Sequence, residues 1–199
     1  MSAHLLTSRP GGHSRRSCAY ARRRSRPKDA DAGRFATTVL ITDIVDSTAT
    51  ATRLGDRRWR DVLADHYAAC RAEVGRAGGE LVNTTGDGIV AIFDCPARAV
   101  RAAIAIQAVA RESGIGVRAG VHAGECARLD GGLVGLAIHI AARVCSLGGA
   151  DVVMTTRTVR DLAIGSMLAF EPRGHHDLKG VRGPWAVFSA TDLARHHVE

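Results

Sequence analysis

No stretch of this chain is apolar for long enough to span a bilayer, and its first residues lack the apolar core of a secretory signal. A helical membrane protein and a secreted protein are therefore not expected, and the cytoplasm is the expected compartment. Cysteine is scarce and poorly spaced for structural use. Cys18, Cys70, Cys95, Cys126 and Cys145 are odd in number and form no CxxC pair, which argues against both a disulfide framework and a zinc site. They read instead as reduced, mostly buried small hydrophobes. Aromatic residues make up only 4% of the chain, and no internal repeat is visible.

Net charge is absent from most of the molecule as well. The formal net charge is +7, and residues 1–34, with nine Arg or Lys and two Asp, account for all of it. The remainder carries 18 basic and 18 acidic residues and is neutral. The segment 1–34 mixes Arg, Ser, Gly and Pro without periodicity or interleaved aromatics, and reads as a disordered basic extension. A solvated extension is the simpler reading; an electrostatic tether to nucleic acid or to an anionic membrane is the other. The neutral folded part has no basic stripe, so no specific nucleic-acid partner and no transmembrane segment are expected.

Folding is expected from Phe35. Residues 35–42 (FATTVLIT) are apolar and β-branched, a buried strand ending at Asp43. Asp46-Ser47-Thr48 then supplies N-cap residues for a helical region reaching about Arg76, with Leu54, Trp59, Val62, Leu63, His66, Tyr67 and Cys70 at helical spacing. Short strands are expected at 80–84 and 89–93, joined by the turn sequence Thr85-Gly86-Asp87-Gly88. Helix 97–112, strand 117–126, a turn at Gly131-Gly132 and helix 136–147 follow. A strand at 152–154, a helix at 155–163 and a closing strand pair at 168–178 and 185–190 complete the pattern, leaving 191–199 as a tail. Two strand–helix–strand units around an antiparallel hairpin predict an α+β, ferredoxin-like α/β sandwich. That fold hosts many functions, so chemistry must be sought in particular residues.

Two carboxylates stand out. Asp43 ends a strongly apolar strand, and Asp87 sits between glycines at the tip of the next hairpin. Taken singly, each has an ordinary explanation, a strand-end cap and a turn residue. If the first strand lies beside the hairpin, both reach one edge of the sheet, an arrangement suited to hard cations such as Mg²⁺ or Mn²⁺. The helix opening after Asp46 would point its first amides outward, as phosphate sites do.

Four segments, ITDIVDST (Ile41–Thr48), NTTGDGIVAIF (Asn83–Phe93), IHIAARV (Ile138–Val144) and DLKG (Asp177–Gly180), resemble the class III adenylyl and guanylyl cyclase family in order and spacing. The resemblance covers Phe35 to about Ala190 and identifies 35–190 as the catalytic domain. It implies a homodimer with composite active sites that converts ATP to 3′,5′-cyclic AMP and pyrophosphate with two divalent ions, Mg²⁺ or Mn²⁺. Asp43 and Asp87 match the metal-binding aspartates, and Ile44 matches the residue that adds a backbone carbonyl. Ser47 and Thr48 fall where the family holds the triphosphate. Arg143 matches the arginine that stabilises charge on the α-phosphate, and Lys179 the lysine that contacts the terminal phosphates. The metal ligands would come from one subunit, Arg143 and Lys179 from the other.

Three positions depart from the family. Asn83 replaces a lysine that reads the purine. Gly132 stands where a partner aspartate is usual, with Asp130 two residues away. His139 replaces an asparagine, as in a bacterial subgroup carrying HIAARV. His139 either orients the ribose or Arg143, or is an ordinary helix histidine. Losing a charged base-reading pair weakens discrimination between ATP and GTP. Two readings therefore stand: a cyclase with relaxed purine selectivity, and a catalytically weak or inactive nucleotide-binding and dimerisation module of the same fold.

Overall fold

In the computed structural model, the described residues are 33–195. The basic segment, apart from Gly33 and Arg34, lies outside them, as do Cys18 and residues 196–199.

β1 (Arg34–Ile44) is longer at both ends than expected, because Arg34 is tied across to Glu125 at 2.9 Å and the pairing with the next long strand continues through Ile44. The helical region after it is two helices and not one, α1 (Ser47–Leu54) and α2 (Asp56–Arg76). Gly55, at φ 76°, makes the break: it donates to Ala51 O at 2.8 Å and accepts from Trp59 N at 3.0 Å, closing one helix and opening the next. β2 (Glu80–Thr84) and β3 (Ile89–Phe93) form the expected hairpin. α3 (Pro96–Glu112) has proline in its first turn, where no amide bond is lost.

β4 (Val117–Leu129) is followed by a strand that the sequence reading lacked, β5 (Gly132–Val134). The turn expected at Gly131-Gly132 lies one residue earlier. Asp130 and Gly131, both at positive φ (50° and 76°), form a two-residue loop that pairs Leu129 with Gly132. Then come α4 (Leu136–Cys145), β6 (Val153–Thr156), α5 (Arg157–Leu162), β7 (Leu168–Asp177), β8 (Pro184–Asp192) and a 3₁₀ turn (Leu193–Arg195). β8 extends into the segment read as a tail. Asp192 is buried there and paired with Arg101 at 3.1 Å.

The sheet runs β2-β3-β1-β4-β6-β8-β7, with β5 added to the end of β4. Its first four strands are all antiparallel in the order 2-3-1-4, the ferredoxin-like core. β6 joins β4 in parallel, and β8 and β7 continue antiparallel. Alternation along β1 divides the core. Leu40 and Ile44 face Val74, Ile89, Val100 and Ile106 on one side, while Val39 and Ile41 face Val90, Ala137 and Ala141 on the other. Each buried Val, Leu or Ile among them contributes about 1.5–3 kcal/mol. α2 and α3 thus cover one face and α4 the other. α4 lies very close to the sheet at Gly120, where any Cβ would overlap Cys145 N and Ala141 O.

Candidate functional site

β1 and β3 are in register from Thr38↔Phe93 to Thr42↔Ile89. One step further, Asp43 comes beside Gly88 on strands about 4.8 Å apart, with Asp87 next in line. The two glycines around Asp87 have separate jobs. Gly86 takes φ 79° in the turn, where Asp87 N donates to Thr85 O at 3.0 Å and Thr85 N to Gly88 O at 2.9 Å. A Cβ on Gly88 would overlap the Thr42 carbonyl oxygen, so only glycine lets the turn close onto β1. The helix α2 holds this turn from behind: Tyr67 Oη donates to Gly86 O at 2.5 Å. Burial lowers the pKa of neighbouring His66 while Asp87 opposes that shift, and the thiol of Cys70, 3.4 Å from His66 Nε2, is pushed up to about 12 by burial and then by Glu73.

α1 starts directly after β1. Asp46 is its N-cap residue but sits in the left-handed region (φ 53°), and its side chain makes no capping bond, contrary to the capping role read from the sequence. Ser47 and Thr48 form the first turn, close in sequence to Asp43 and Ile44. Asp43, Ile44, Ser47, Thr48 and Asp87 therefore gather at one end of β1. Asn83 lies on the neighbouring edge strand paired with Val90, and its Oδ1 accepts from Thr84 N at 2.8 Å.

The remaining candidates are elsewhere. α4 buries Ala137, Ile140, Ala141 and Val144 and leaves His139 and Arg143, one turn apart, exposed on its outer side. Asp130 in the β4–β5 loop and Gly132 just after it lie at the far end of β4 from Arg118, which pairs with Asp43; at 3.3 Å per residue the strand from Arg118 to Leu129 spans about 36 Å. Lys179 is exposed in the turn between β7 and β8, where Val181 N donates to Leu178 O at 2.9 Å and Gly180 takes φ 84°. That turn is tied to α4: Leu178, Val187 and Met154 pack with Ile140 and Val144, and Trp185 packs against the same cluster. One chain thus holds two groups, the carboxylates and α1 in one, and Arg143, His139 and Lys179 on a shared brace in the other.

Several residues at these places escaped the sequence reading. Arg118 donates Nε to Asp43 Oδ2 at 2.7 Å, and Nη2 to the same oxygen. Arg128 grips Glu80 with both terminal nitrogens, at 2.9 and 2.5 Å, lies 5.9 Å from the centre of the Phe35 ring, and clamps the end of β4 to β2. His122 on β4 is buried, with Nδ1 2.9 Å from Thr156 Oγ1 and its ring edge-on to Trp185. Arg118 and His122 sit four residues apart on one face of a strand whose other face is Val117, Ala119 and Val121. Polar residues at even spacing in an apolar strand were the available signal.

Burial pushes the pKa of His122 from 6.5 down to about 4. The unfolded chain takes up this proton near pH 6.5, the native protein only near pH 4, so stability present above the first value is lost as pH falls toward the second. A loss of about 3 kcal/mol between pH 7.5 and 4.5 is expected from this group. Urea unfolding at the two pH values measures it, and His122→Gln should flatten the dependence; an unchanged slope would assign the effect to other groups.

No helix among the described residues is long and apolar enough to cross a membrane. Among them Cys70, Cys95, Cys126 and Cys145 are all free thiols.

Comparison with known proteins bears on this geometry. An uncharacterized protein of Mycobacterium tuberculosis, strain H37Rv, is 30% identical over 158 residues, which are 77% of this chain and 40% of that protein, so the chain spans well under half the length of this relative. Two solved structures share the fold: the adenylyl cyclase CyaB from P. aeruginosa (TM-score 0.69, 19% identity, 80% of this chain and 95% of that one) and the guanylate cyclase domain of RhGC from Catenaria anguillulae in complex with GTP (TM-score 0.71, 22% identity, 79% and 96%). The adenylate and guanylate cyclase catalytic domain family matches residues 33–191, the whole sheet from before β1 almost to the end of β8, and the chain belongs to that family.

Proposed function

We propose that residues 35–190 form the catalytic unit of a cytoplasmic homodimeric adenylyl cyclase that makes 3′,5′-cyclic AMP and pyrophosphate from ATP and also accepts GTP. What supports this reading is the strand register that sets Asp43 beside Gly88, next to Asp87, while Arg143 and Lys179 lie on elements joined by one apolar cluster elsewhere in the chain. A second copy, docked two-fold, would bring its Arg143 and Lys179 to the carboxylates of the first. Leu129, Val134, Leu136 and Leu147 are exposed around α4 and the β4–β5 loop, an apolar surface suited to that contact.

The donor set fits two hard divalent ions, Mg²⁺ or Mn²⁺: two carboxylates and the Ile44 carbonyl, all oxygen, with space left for phosphate oxygens. Such ions, when bound, lower the pKa of the ribose 3′-hydroxyl and neutralise charge on the triphosphate. Asp43 and Asp87 hold and orient the cations. The uncapped amides at Ser47 and Thr48 hold triphosphate oxygens at the positive end of α1. Arg143 of the second copy donates its guanidinium fork to the α-phosphate as the 3′-oxygen attacks in line and pyrophosphate leaves, and Lys179 offsets charge on the departing group. His139, one turn from Arg143, orients that arginine or the ribose.

Base selection is weaker in this arrangement. Asn83 brings hydrogen-bonding groups but no charge, Gly132 brings no side chain, and Asp130 is committed to the hairpin loop. With Mn²⁺, purified protein should turn over ATP and GTP within about tenfold of each other, and Asn83→Lys combined with Gly132→Asp should widen the ratio in favour of ATP by about tenfold or more. Quantifying both cyclic products by chromatography decides it. No product from either nucleotide, with nucleotide binding intact, would select the second reading, a binding and dimerisation module. That reading draws support from the three departures at Asn83, Gly132 and His139.

A further inference from the structure

The turn between α5 and β7 carries a second apolar surface, apart from the one around α4. Leu162, Ile164, Met167 and Leu193 are all exposed there, Ile164 most of all at 81%. α5 packs through Val159 into the core layer of α2 and α3, so this surface lies on the side of the sheet away from α4. The turn is tightly held. Arg101 of α3 donates Nη2 to Ser166 O, and Nε to the buried Asp192 at 3.1 Å. Ser166 N donates to Ala163 O at 3.1 Å, and Leu193 N to Met167 O at 3.1 Å. Met167 is fixed at φ 61°, a left-handed conformation uncommon outside glycine, and is still exposed. Four apolar side chains held rigidly in water form a patch of the kind that marks an interaction surface.

Charge indicates what covers it. α5 carries Arg157 and Arg160 with a single acidic neighbour, Asp161, shared between them. A cavity of about 300 Å³, lined in part by Ala36, Ala123 and Leu162, continues the apolar surface to the first residues of β1. The two carboxylates at this cavity, Asp94 and Glu125, are each paired with an arginine, Arg98 and Arg34. The patch therefore borders the point at which the chain enters the domain, and residues 1–34 hold nine Arg or Lys against two Asp. We propose that the α5–β7 turn seats the domain on an anionic lipid surface, with Ile164 entering the boundary between headgroups and acyl chains. The negative surface potential attracts the arginines, and the interface accepts the apolar side chains; either signal alone holds a protein weakly, and the two together hold it stably. Such seating needs neither Asp43 nor Arg143, so it stands apart from the chemistry proposed above. It leaves the α4 face free for a second copy.

The test is co-sedimentation of the full chain with vesicles of phosphatidylcholine alone and of phosphatidylcholine containing about 30% phosphatidylglycerol. At about 0.1 M salt the wild type should partition onto the anionic vesicles about tenfold more strongly than onto the neutral ones. Ile164→Asp combined with Met167→Asp should lower that partition about tenfold or more, with the unfolding midpoint unchanged, since aspartate tolerates a left-handed backbone. Ile164→Ser alone, at a position with little packing to lose, should lower it about threefold. Arg22→Glu, Arg23→Glu and Arg24→Glu together should also lower it about tenfold. Absence of partition by the wild type overturns the proposal. So does partition that neither Ile164 variant alters, which would leave the basic residues as the sole contact. Light scattering without lipid decides against the other occupant: a wild type that assembles beyond a dimer, and a double variant that does not, would make the turn a contact between copies of this chain and end the lipid assignment.

Discussion

Asp87→Asn should lower kcat/KM for cyclic nucleotide formation about a thousandfold and leave the unfolding midpoint nearly unchanged. The substitution conserves size and occurs at a turn tip where asparagine is well tolerated. The turn is held by other atoms: the Tyr67 hydroxyl on Gly86 O, the bond from Thr85 N to Gly88 O, and the close packing of Gly88 on β1. What disappears is one of the two carboxylates proposed to ligate metal, and a catalytic divalent ion supplies several kcal/mol of charge stabilisation in the transition state. Each 1.4 kcal/mol or so is a factor of ten in rate, so losing about 4 kcal/mol gives the expected drop. Initial rates with Mn²⁺ and ATP, alongside thermal unfolding of both proteins, make the measurement. Activity within tenfold of wild type would remove Asp87 from the metal site and the proposed chemistry with it.

A mixture of two crippled variants should recover activity. Arg143→Ala alone should lose about a hundred- to a thousandfold in kcat, the usual cost of removing a donor aimed at developing charge, and Asp43→Asn alone should lose at least as much. The two residues belong to separate groups in the chain: Asp43 is the next-to-last residue of β1, and Arg143 stands on the outer side of α4. In a two-fold dimer each site takes one group from each chain, so a mixed dimer has one intact site and one doubly damaged site. Random pairing of equal amounts makes half the dimers mixed, and about a quarter of wild-type activity should return. Arg143 is exposed and packs no core, so its removal should not unfold the protein. A mixture no more active than its components would require each chain to complete its own site.

Where local chemistry sets structure, the sequence was readable. The hairpin 80–93 was legible because β-branched runs flank a glycine-rich turn, and its strand limits match. The apolar stripe on α2 from Trp59 to Cys70 likewise packs on the core. Turn placement failed where two signals competed. Gly131-Gly132 looked like the turn, but Asp-Gly is the stronger two-residue loop former, and Asp130 accepts φ 50°. The break at Gly55 was hidden because the apolar spacing continues across it. The two carboxylates could be picked out because one closes an apolar run and the other sits between glycines in a turn. Arg118 stood out only as a polar residue in an apolar strand, since its importance comes from register with a residue 75 positions away. Such a partner is visible only once strand order is known. The same holds for the Arg128–Glu80 clamp, 48 positions apart in the chain.

At Gly120 the main chain of a helix and that of a strand touch with nothing between them. Groups so mounted have no slack: α4 is not a lever that a ligand on the far side of the sheet can lift. Any control over turnover would then be exerted from outside, by the angle and tightness with which two copies meet, and the domain would behave like one jaw of a vice whose grip is set by whatever brings the other jaw to it.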